Sequence, residues 1–550
     1  MEDGYNPEVE ALRQTEYPHM NNGIYLDHSG ATIYAKSTVE QFTQKMISNL
    51  YGNPHSENLP AQCSGTVVDE VRAKTLRFLG ADPKHFDLVF VANATAAIKL
   101  VAESFRDLAE KSRDGRFWYG YHKDSHTSLV GVREYTHGRH HFFESDGEVE
   151  EWLRSPPPSS SRFAVRREAD RRLGLFAYPG QSNMSGKRLP VSWAGSIRRA
   201  RHLKNTYTLF DAAALAMTSP MEYVFRDPDN APDFTCLSLY KIFGFPDIGA
   251  LVIRRGSGHI LALRKYFGGG NTMLGQSWHK SKGLDASAYK LHEGLEDGTL
   301  PFHSILALGE AIDVHERLFH SMAKISLHTT CLAHYLFDAL SRLQHWNGVP
   351  VCRIYSDDVS AFGDPSRQGS VIAFNVVDAD EEYIPYSDVE ARANNAGIYI
   401  RSGGVCNPGG IFAALGYEPW MTERALSAGH HCGSQGIDII NRLPTGIVRV
   451  SLGAMSTRQD VDTFLDFMQK TFVEQESENG LWADSPRSTV CSAMCSSVHA
   501  VVAAAAEGAA VDKDLTGNAG YSTMHHKSFP DVRELPRPRP LFWTTPLPVS

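Results

Sequence analysis

The sequence predicts an α/β fold in which helices cover both faces of a mostly parallel sheet. From residue 22 to about residue 472, short apolar segments alternate with segments of helical period, and turn residues separate them. Several apolar segments end in polar residues, and no internal repeat is visible. Strands that alternate with helices form βαβ units, whose parallel strands are buried on both faces. Ligands bind such sheets beyond the carboxyl ends of the strands.

The first unit of this kind is the segment LVFVANATAAIKLVAESF. Its apolar start predicts a buried strand from Leu88 to Ala92, followed by a polar turn and a helix that begins near Thr95. The same order of apolar residues and polar end recurs in RRLGLFAYPGQSN, NTYTLFDAAALA, DFTCLSLYKIFGF and IGALVIRR. These four segments predict further strands of the same sheet.

Composition and charge exclude several classes of protein. The 54 basic and 63 acidic residues give a net charge of −9, so no basic surplus is present for binding nucleic acid. The chain opens without the basic and apolar segments of a secretory leader, and no apolar run approaches the roughly 20 residues that span a bilayer. The eight cysteines form no CxxC pairs, which argues against a disulfide framework and a zinc site. We expect a cytoplasmic protein that binds no membrane and no metal.

The composition changes near the end of the chain. Residues 1–475 carry the alternating pattern and predict one folded unit, with a large part of about 60–310 and a small part of about 311–475 that includes the N-terminal segment. Residues 476–550 are rich in Ser, Ala and Pro, which predicts a linker or a disordered tail. We interpret Cys491 and Cys495 in that tail as two ordinary thiols.

One lysine and one aspartate indicate a cofactor. Lys241 follows a predicted strand and precedes a turn rich in Gly and Pro, although a lysine taken alone is usually solvated. Asp211 ends the segment TYTLF, where burial of a carboxylate requires a cationic partner. The N–H of a protonated pyridoxal ring is one such partner.

Two other segments suit the same cofactor, and each also has a purely structural interpretation. The turn from Asn93 to Ala97 presents backbone N–H groups and a helix N-terminus that suit a phosphate, or it is a plain helix cap. His126 is placed to stack on an aromatic ring, or it is an ordinary buried histidine.

Taken together, the motifs resemble a known family. They are YLDHSGAT, GNPHS, NATAAIK, DSHTSLVGVRE, QSNMSGKRLP, FDAAAL, SLYKIFGFPDIGAL, YFGGGN, EDGTLPFHSILAL, RSGGVCNPGG and PTGIVRVSLGAMSTRQDVD. In this order, over roughly residues 20–472, they resemble the N-terminal, cysteine-desulfurase-like domain of eukaryotic molybdenum cofactor sulfurases. Those proteins are class V, fold-type-I pyridoxal-phosphate enzymes, so the resemblance implies that fold and pyridoxal 5'-phosphate as cofactor.

The resemblance implies a set of cofactor-binding residues. Lys241 matches the lysine that holds the cofactor covalently, Asp211 the partner of the pyridine nitrogen, and His126 the histidine that stacks on the ring. Asn183 matches the residue near the phenolic oxygen. The remaining matches concern the phosphate group: Thr95, Ala96 and Ser238 from the same chain, and Gly298 and Thr299 from the neighbouring subunit of a homodimer.

It also implies residues for the substrate and for the sulfur. Arg449 matches the arginine that binds the carboxylate of L-cysteine, a role that suits its planar fork, and Arg401 and His55 are further substrate-binding candidates. Cys406 matches the loop cysteine that accepts sulfur, and the Gly-rich residues around it favour a loop over a buried strand. Cys432, which follows two histidines, is the second candidate acceptor, and a metal site there lacks a fourth ligand.

The implied activity is a cysteine desulfurase that forms a persulfide on Cys406 and L-alanine. In the family, the persulfide sulfur replaces an oxo ligand of molybdenum cofactor for xanthine dehydrogenase and aldehyde oxidase. Two alternatives stay open: a class V lyase, aminotransferase or desulfurase that serves another acceptor, and a non-catalytic binding protein.

The sequence departs from the common desulfurase pattern at two positions and from the sulfurases at the end of the chain. Ala214 stands where desulfurases commonly have Gln, and Tyr240 stands where many have His before the lysine, as in the sulfurase subgroup. The C-terminal MOSC domain of the sulfurases, entered through a Pro-Ile-Lys-Ser-Cys motif, has no match in this sequence. A truncated gene, a separate MOSC chain and a different acceptor are equally open explanations.

Overall fold

The computed structural model describes residues 4–111, 115–154, 173–266, 268, 290–427 and 436–476. The predicted tail therefore lies almost wholly outside the described residues.

The described helices and strands alternate along most of the chain. The helices are α1 (Glu8–Glu16), α2 (Lys36–Ser48), α3 (Leu59–Phe78), α4 (Ala94–Ala109), α5 (Thr127–Val130), α6 (Asp146–Arg154), α7 (Ser192–Arg199), α8 (Glu222–Phe225), α9 (Tyr240–Phe243), α10 (Gly258–Leu261), α11 (Phe302–Phe319), α12 (Met322–Arg342), α13 (Tyr386–Asn395), α14 (Pro408–Ala414), α15 (Pro419–Ser427) and α16 (Arg458–Phe472). The strands are β1 (Ile24–Tyr25), β2 (Phe86–Val91), β3 (Trp118–His122), β4 (His140–Phe143), β5 (Gly174–Pro179), β6 (Thr206–Asp211), β7 (Phe234–Ser238), β8 (Gly249–Arg254), β9 (Cys352–Ile354), β10 (Val371–Val376), β11 (Ile398–Tyr399), β12 (Arg401–Gly403), β13 (Ile439–Ile440), β14 (Leu443–Pro444) and β15 (Ile447–Ser451).

The central sheet has seven strands in the order β2-β8-β7-β6-β5-β3-β4. The pairs from β7 to β4 are parallel, which confirms the prediction of a mostly parallel α/β sheet. The four segments predicted as strands after β2 are β5, β6, β7 and β8. Strand β8 is antiparallel to both of its neighbours. Only residues 239–248 join it to β7, and a parallel crossover requires about a dozen residues or more.

Alternating side chains of the sheet enter two separate cores. On β5, Phe176 and Tyr178 pack in one apolar cluster, and Leu175 and Ala177 pack in the other. This two-sided burial is what a mostly parallel sheet with helices on both faces requires. It leaves the carboxyl ends of the strands as the place where polar side chains can gather.

A smaller antiparallel sheet has the order β12-β15-β10-β9. Its apolar core includes Phe374 and Val448 from the sheet and Phe464 from α16. The N-terminal segment joins this part of the molecule, because β1 pairs in parallel with β11 through Ile24 and Ile398. None of the helices in the described ranges is both long and apolar enough to cross a bilayer.

Candidate active site

A pocket lies at the carboxyl ends of the central strands. It encloses about 490 Å³, part of which is open to solvent. Its lining residues come from β5 to β7 and from the segments that follow the strands: Ala94, Thr95, Ile98, His126, Ser128, Pro179, Gln181, Asn183, Asp211, Ala213, Ala214, Ser238, Tyr240 and Lys241. Six residues predicted from the sequence to hold the cofactor are thus brought together. Tyr240 and Ala214, the two departures from the desulfurase pattern, line the same pocket.

Lys241 is held in a short connection between two central strands. It lies in α9, directly after β7, and the chain reverses at Gly244, which has φ +76°. A Cβ on Gly244 would lie 2.4 Å from the backbone nitrogen of Tyr34, so the turn needs glycine for its conformation and for its space. Burial and the nearby Arg449 guanidinium lower the pKa of Lys241 to about 8. About a tenth of this amine is therefore neutral, and nucleophilic, at pH 7, far more than of an ordinary lysine.

Asp211 is the last residue of β6 and is buried. Its Oδ1 accepts a hydrogen bond from the backbone N–H of Ala213 at 3.0 Å. No partner for Oδ2 is present among the described residues, although the side chain lines the pocket. A buried carboxylate with a free oxygen suits a ligand that brings a cationic N–H.

The start of α4 provides donors to the pocket. Asn93 caps this 16-residue helix, because its Oδ1 accepts from the Ala96 N–H at 3.0 Å. The Thr95 N–H has no acceptor among the described residues, and its hydroxyl lies 2.8 Å from that of Ser128. Ser238 Oγ accepts from the Ala94 N–H at 3.1 Å, which leaves its own proton free to donate. The helix dipole and these donors suit a phosphate, whereas the Ala96 amide already has an acceptor.

These observations match the chemistry of pyridoxal 5'-phosphate. The pocket offers an amine of lowered pKa, a buried carboxylate with an unpaired oxygen, and hydroxyl and amide donors at a helix N-terminus. Each has a counterpart in the cofactor: the aldehyde carbon, the ring nitrogen and the phosphate. The residues therefore fit the group.

Cys406 lies against His126. The pKa of the Cys406 thiol is lowered to about 7. The largest cause is hydrogen bonding by His126, and the positive charge of Arg401 acts in the same direction. Nδ1 of His126 accepts from the Ser128 N–H at 3.1 Å, so the neutral ring carries its proton on Nε2 and can donate to an anionic sulfur. The family resemblance implies a role for each of the two residues, but it does not predict that they interact with each other.

The backbone around Cys406 is in an unusual conformation. Val405 has φ +34° and Cys406 has φ +57°, a region that residues with a side chain rarely adopt. Conformations of this kind cost roughly 1–3 kcal/mol and persist where the surroundings hold them. Here the Val405 carbonyl accepts from Asn183 Nδ2 at 2.7 Å, and the Cys406 carbonyl accepts from the Thr127 N–H at 2.9 Å.

Arg449 lies in the middle of β15 and is 2% exposed. Its Nη2 lies 2.6 Å from Oδ1 of Asp27, and its Nη1 donates to the Asn183 carbonyl at 2.9 Å. Its Nε is buried and has no hydrogen-bond partner within the described ranges. Burial lowers the pKa of Arg449, and the Asp27 carboxylate opposes that effect. The predicted carboxylate-binding arginine thus already holds an internal carboxylate.

Arg401 is the cross-strand neighbour of Arg449 in the antiparallel pair of β12 and β15. It is half-buried, and no acidic side chain within 4.0 Å is present for it among the described residues. Two arginines directly opposite each other repel, so Asp27 neutralises one of the pair and leaves the other available. Arg401 therefore offers an unpaired cation beside Cys406.

The other sequence-predicted residues lie outside this pocket. His55 is exposed in a turn, and its N–H donates to the Asn53 side chain. Gly298, with φ +69°, and Thr299 are exposed in a loop that follows two ion-paired acidic residues, so they are accessible to a second chain. Cys432 and its two neighbouring histidines lie outside the described residues.

Sequence reasoning missed two residues of the site. Asp27 lies in the quoted motif YLDHSGAT and Asn407 lies in RSGGVCNPGG, but neither was singled out. An acid shortly after an apolar pair was the available indication for Asp27. An Asn before Pro-Gly-Gly reads as a turn or a helix cap, and nothing in the local pattern shows its contacts with residues 124 and 183.

Comparisons with known proteins agree on one group. The family model described as aminotransferase class-V matches residues 24–117 and 164–464. Molybdenum cofactor sulfurase from Aspergillus niger is 49% identical over 478 residues, which cover 86% of this chain and 55% of the relative. The protein of the same name from Botryotinia fuckeliana is also 49% identical, over 86% of this chain and 56% of the relative. The chain thus spans just over half the length of these relatives.

Solved structures are similar in fold. A cysteine desulfurase from Thermococcus onnurineus matches with a TM-score of 0.61 and 20% identity, over 84% of this chain and 97% of that one. A cysteine desulfurase from Escherichia coli matches with a TM-score of 0.59 and 19% identity, over 84% and 98% of the two chains. At this level of identity, the similarity supports the fold-type-I architecture.

Proposed function

The chain belongs to the class-V aminotransferase family, and from that premise we propose that it is a cysteine desulfurase whose sulfur is destined for molybdenum cofactor. It would convert L-cysteine to L-alanine and hold the sulfur as a persulfide on Cys406. The observation that carries the proposal is the position of Cys406, whose carbonyl accepts from the Thr127 N–H at 2.9 Å and whose thiol pKa is lowered to about 7, first by His126 of the pocket wall.

Pyridoxal 5'-phosphate is the cofactor of this family. We assign the covalent bond to Lys241, the ring nitrogen to Asp211, the ring face to His126, and the phosphate to Thr95 and Ser238. When bound, the cofactor supplies an electron sink for the amino acid. Asp211 suits that role, because its side chain lines the pocket and its Oδ2 has no partner among the described residues.

Two arginines are available for the carboxylate of L-cysteine. Among the described residues, Arg401 has no acidic side chain within 4.0 Å, and the buried Nε–H of Arg449 has no partner. Substrate binding between them would satisfy that N–H and reduce the repulsion between the two cations. Lys241 is suited to move the proton at the Cα atom, since an amine with a pKa of about 8 both accepts and donates near neutral pH.

Cys406 then takes the sulfur. Its thiolate attacks the substrate Sγ, a new S–S bond forms, and the Cβ–Sγ bond breaks with its electron pair left on the carbon side, where protonation completes L-alanine. L-cysteine and the Cys406 thiol thus give L-alanine and the Cys406 persulfide, with every atom accounted for. A thiol with a pKa of about 7 is substantially ionised at neutral pH, as this attack requires.

We propose molybdenum cofactor as the final acceptor, following the names of the relatives. Exchange of an oxo for a sulfido ligand uses two electrons: the persulfide, the oxo form and two molecules of a thiol reductant give the Cys406 thiol, the sulfido form, a disulfide and water. The match covers just over half of each relative, and we propose that the acceptor site lies on a MOSC-containing partner or segment. A reducing compartment such as the cytoplasm suits a reaction that depends on free thiols.

The experiment is a product assay with the purified full chain, pyridoxal phosphate and L-cysteine. Equal amounts of alanine and of thiol-labile sulfane sulfur on the Cys406 peptide are expected in the first turnover, and Cys406→Ser should abolish the sulfane sulfur. Alanine or another product without a persulfide would instead support a class V lyase or aminotransferase. Transfer of sulfur to molybdenum cofactor is tested separately. The oxo form of molybdenum cofactor and a thiol reductant are added, and activation of an apo molybdenum hydroxylase is measured.

A further inference from the structure

The segment that carries Cys406 is bracketed by two carboxamide side chains. On one side, Asn183 Nδ2 donates to the Val405 carbonyl at 2.7 Å. On the other, Asn407 Nδ2 donates to Asn183 Oδ1 at 3.0 Å. The two amides therefore form a chain of hydrogen bonds that runs from one neighbour of the cysteine to the other, and Asn183 also lines the pocket.

Asn407 uses its side-chain acceptor and its side-chain donors inside the protein. It is fully buried, and its Oδ1 accepts from the Gly410 N–H at 3.0 Å as the cap of α14. Its Nδ2 donates to the Asp124 carbonyl at 3.2 Å as well as to Asn183. A helix cap needs only the acceptor, which Ser or Asp also supplies. The two donors are thus beyond what capping requires, and only a carboxamide provides both functions.

The hydrogen bonds of Asn183 and Asn407 act on a backbone segment in an unfavourable conformation, which needs contacts of this kind to persist. Val405 and Cys406 both have positive φ values, and the Cys406 carbonyl is fixed by the Thr127 N–H, next to His126 in the chain. Charged and titratable groups face the thiol from three elements: His126 from the start of α5, Arg401 from β12 and Arg449 from β15. A shift of the backbone would therefore change which of these groups the sulfur meets.

We propose that Asn407 is a positioning residue for sulfur transfer: its amide donors, through Asn183 and Asp124, hold Cys406 where its thiol meets His126 at the edge of the cofactor pocket. The proposal deepens the proposed function, because it rests on Cys406 as the sulfur acceptor. It assigns to the Asn after the cysteine a role in the chemistry in addition to its role as a cap.

The test compares Asn407→Ser with Asn58→Ser. Serine keeps the capping oxygen in both variants, and Asn58 caps α3 through the Ala61 N–H at 3.0 Å without contact to the cysteine segment. The rate of iodoacetamide alkylation of the Cys406 peptide is measured by mass spectrometry against pH, in protein free of cofactor and substrate. This readout follows the thiol itself and does not depend on turnover.

The wild-type midpoint is expected near pH 7, and Asn58→Ser should keep it. In Asn407→Ser, loss of the His126 contact should raise the midpoint by about one pH unit and slow first-turnover persulfide formation by about tenfold or more. An unchanged midpoint in folded Asn407→Ser, or equal shifts in both variants, would overturn the proposal. If Asn407→Ser does not fold, Asn407→Thr is used, which also keeps a capping oxygen, lacks the amide donors and adds no charge. A wild-type protein that makes no persulfide would refute the desulfurase function. The alkylation midpoints of the variants would still test the positioning role of Asn407, because they do not depend on turnover.

Discussion

The Asp27 carboxylate lies 2.6 Å from Nη2 of Arg449, so the arginine matched to substrate binding is already ion-paired within the chain. Arg449 is 2% exposed and lies directly opposite Arg401 in the sheet. Asp27 is the one acidic side chain within 4.0 Å of Arg449 among the described residues, so it supplies the counter-charge of this buried guanidinium. Arg401 has no acidic side chain within that distance in the same part of the chain.

Asp27→Asn should destabilise the protein by about 1–3 kcal/mol, because removal of one partner leaves the other charge buried and unpaired. The measurement is urea unfolding of the full chain. Asp69→Asn is the control, since Asp69 pairs with Lys290 at 3.5 Å on the surface and its loss should change the free energy by no more than about 0.5 kcal/mol. Equal stability of the two variants would show that the Asp27 pair contributes nothing.

Lys241→Ala should abolish alanine formation from L-cysteine, because no other amine lines the described part of the pocket. The phosphate donors and Asp211 remain, so the variant should still bind the cofactor non-covalently. Alanine release and equilibrium dialysis measure the two effects. Lys74→Ala, which removes a surface partner of Asp313, should retain full turnover. Wild-type turnover in Lys241→Ala would refute the assignment.

Asp211→Asn should keep the fold and lower turnover by roughly 100-fold or more, since a neutral amide does not hold a ring nitrogen protonated. The fold should survive because the Asn side-chain oxygen can still accept from the Ala213 N–H, as Asp211 does now. Thermal melting and steady-state alanine release are the two measurements. A loss of only a few-fold at unchanged melting temperature would contradict the role of Asp211.

His126→Asn should raise the pH at which Cys406 becomes reactive. The thiolate is the reacting form, its fraction rises as pH passes through the pKa, and the wild-type pKa of about 7 depends first on His126. Loss of that donor raises the pKa, so the midpoint of alkylation in cofactor-free protein moves to higher pH. The exposed His303 provides the matched control, His303→Asn, with an unchanged midpoint. Coincident curves for His126→Asn and wild type would contradict the contact.

We expect a homodimer in which Thr299 reaches the neighbouring active site, an expectation that rests on the family resemblance. Lys241→Ala and Thr299→Glu chains should each be inactive alone. Mixed dimers would contain one site with both wild-type residues, so refolding an equal mixture should restore about a quarter of wild-type activity per chain. Sedimentation checks the dimer. No recovery in verified mixed dimers, or an active monomer, would be the contrary result.

Local patterns predicted the strand-and-turn units of the large sheet well. The strand expected at Leu88–Ala92 is Phe86–Val91, and the helix expected near Thr95 begins at Ala94, because a buried apolar run and an Asn cap are local features. The direction of β8 was not predicted. It follows from the length of the connection, which periodicity does not register.

The contacts between distant residues could not be predicted from local sequence. Asp27 and Arg449 are joined across 422 positions, and Asn183 and Asn407 across 224. Residue spacing and hydrophobic period indicate neither pair, since both contacts arise from the packing of segments that are distant in the sequence. The resemblance named Arg449 and Asn183 individually, but their partners required coordinates.

The β7–β8 connection that carries Lys241 also bears on synthesis of the chain. Both strands and the lysine between them are complete once residue 254 has left the ribosome, and their pairing needs no later residue. The arginines of the site follow about 150 to 200 positions later, which at about 5–20 residues per second is a delay of roughly ten to forty seconds. During that interval, the synthesised residues include Lys241, Asp211, Thr95 and Ser238 but neither Arg401 nor Arg449. Early loading of pyridoxal phosphate on the ribosome is therefore compatible with this order of assembly, whereas turnover must await the end of the domain.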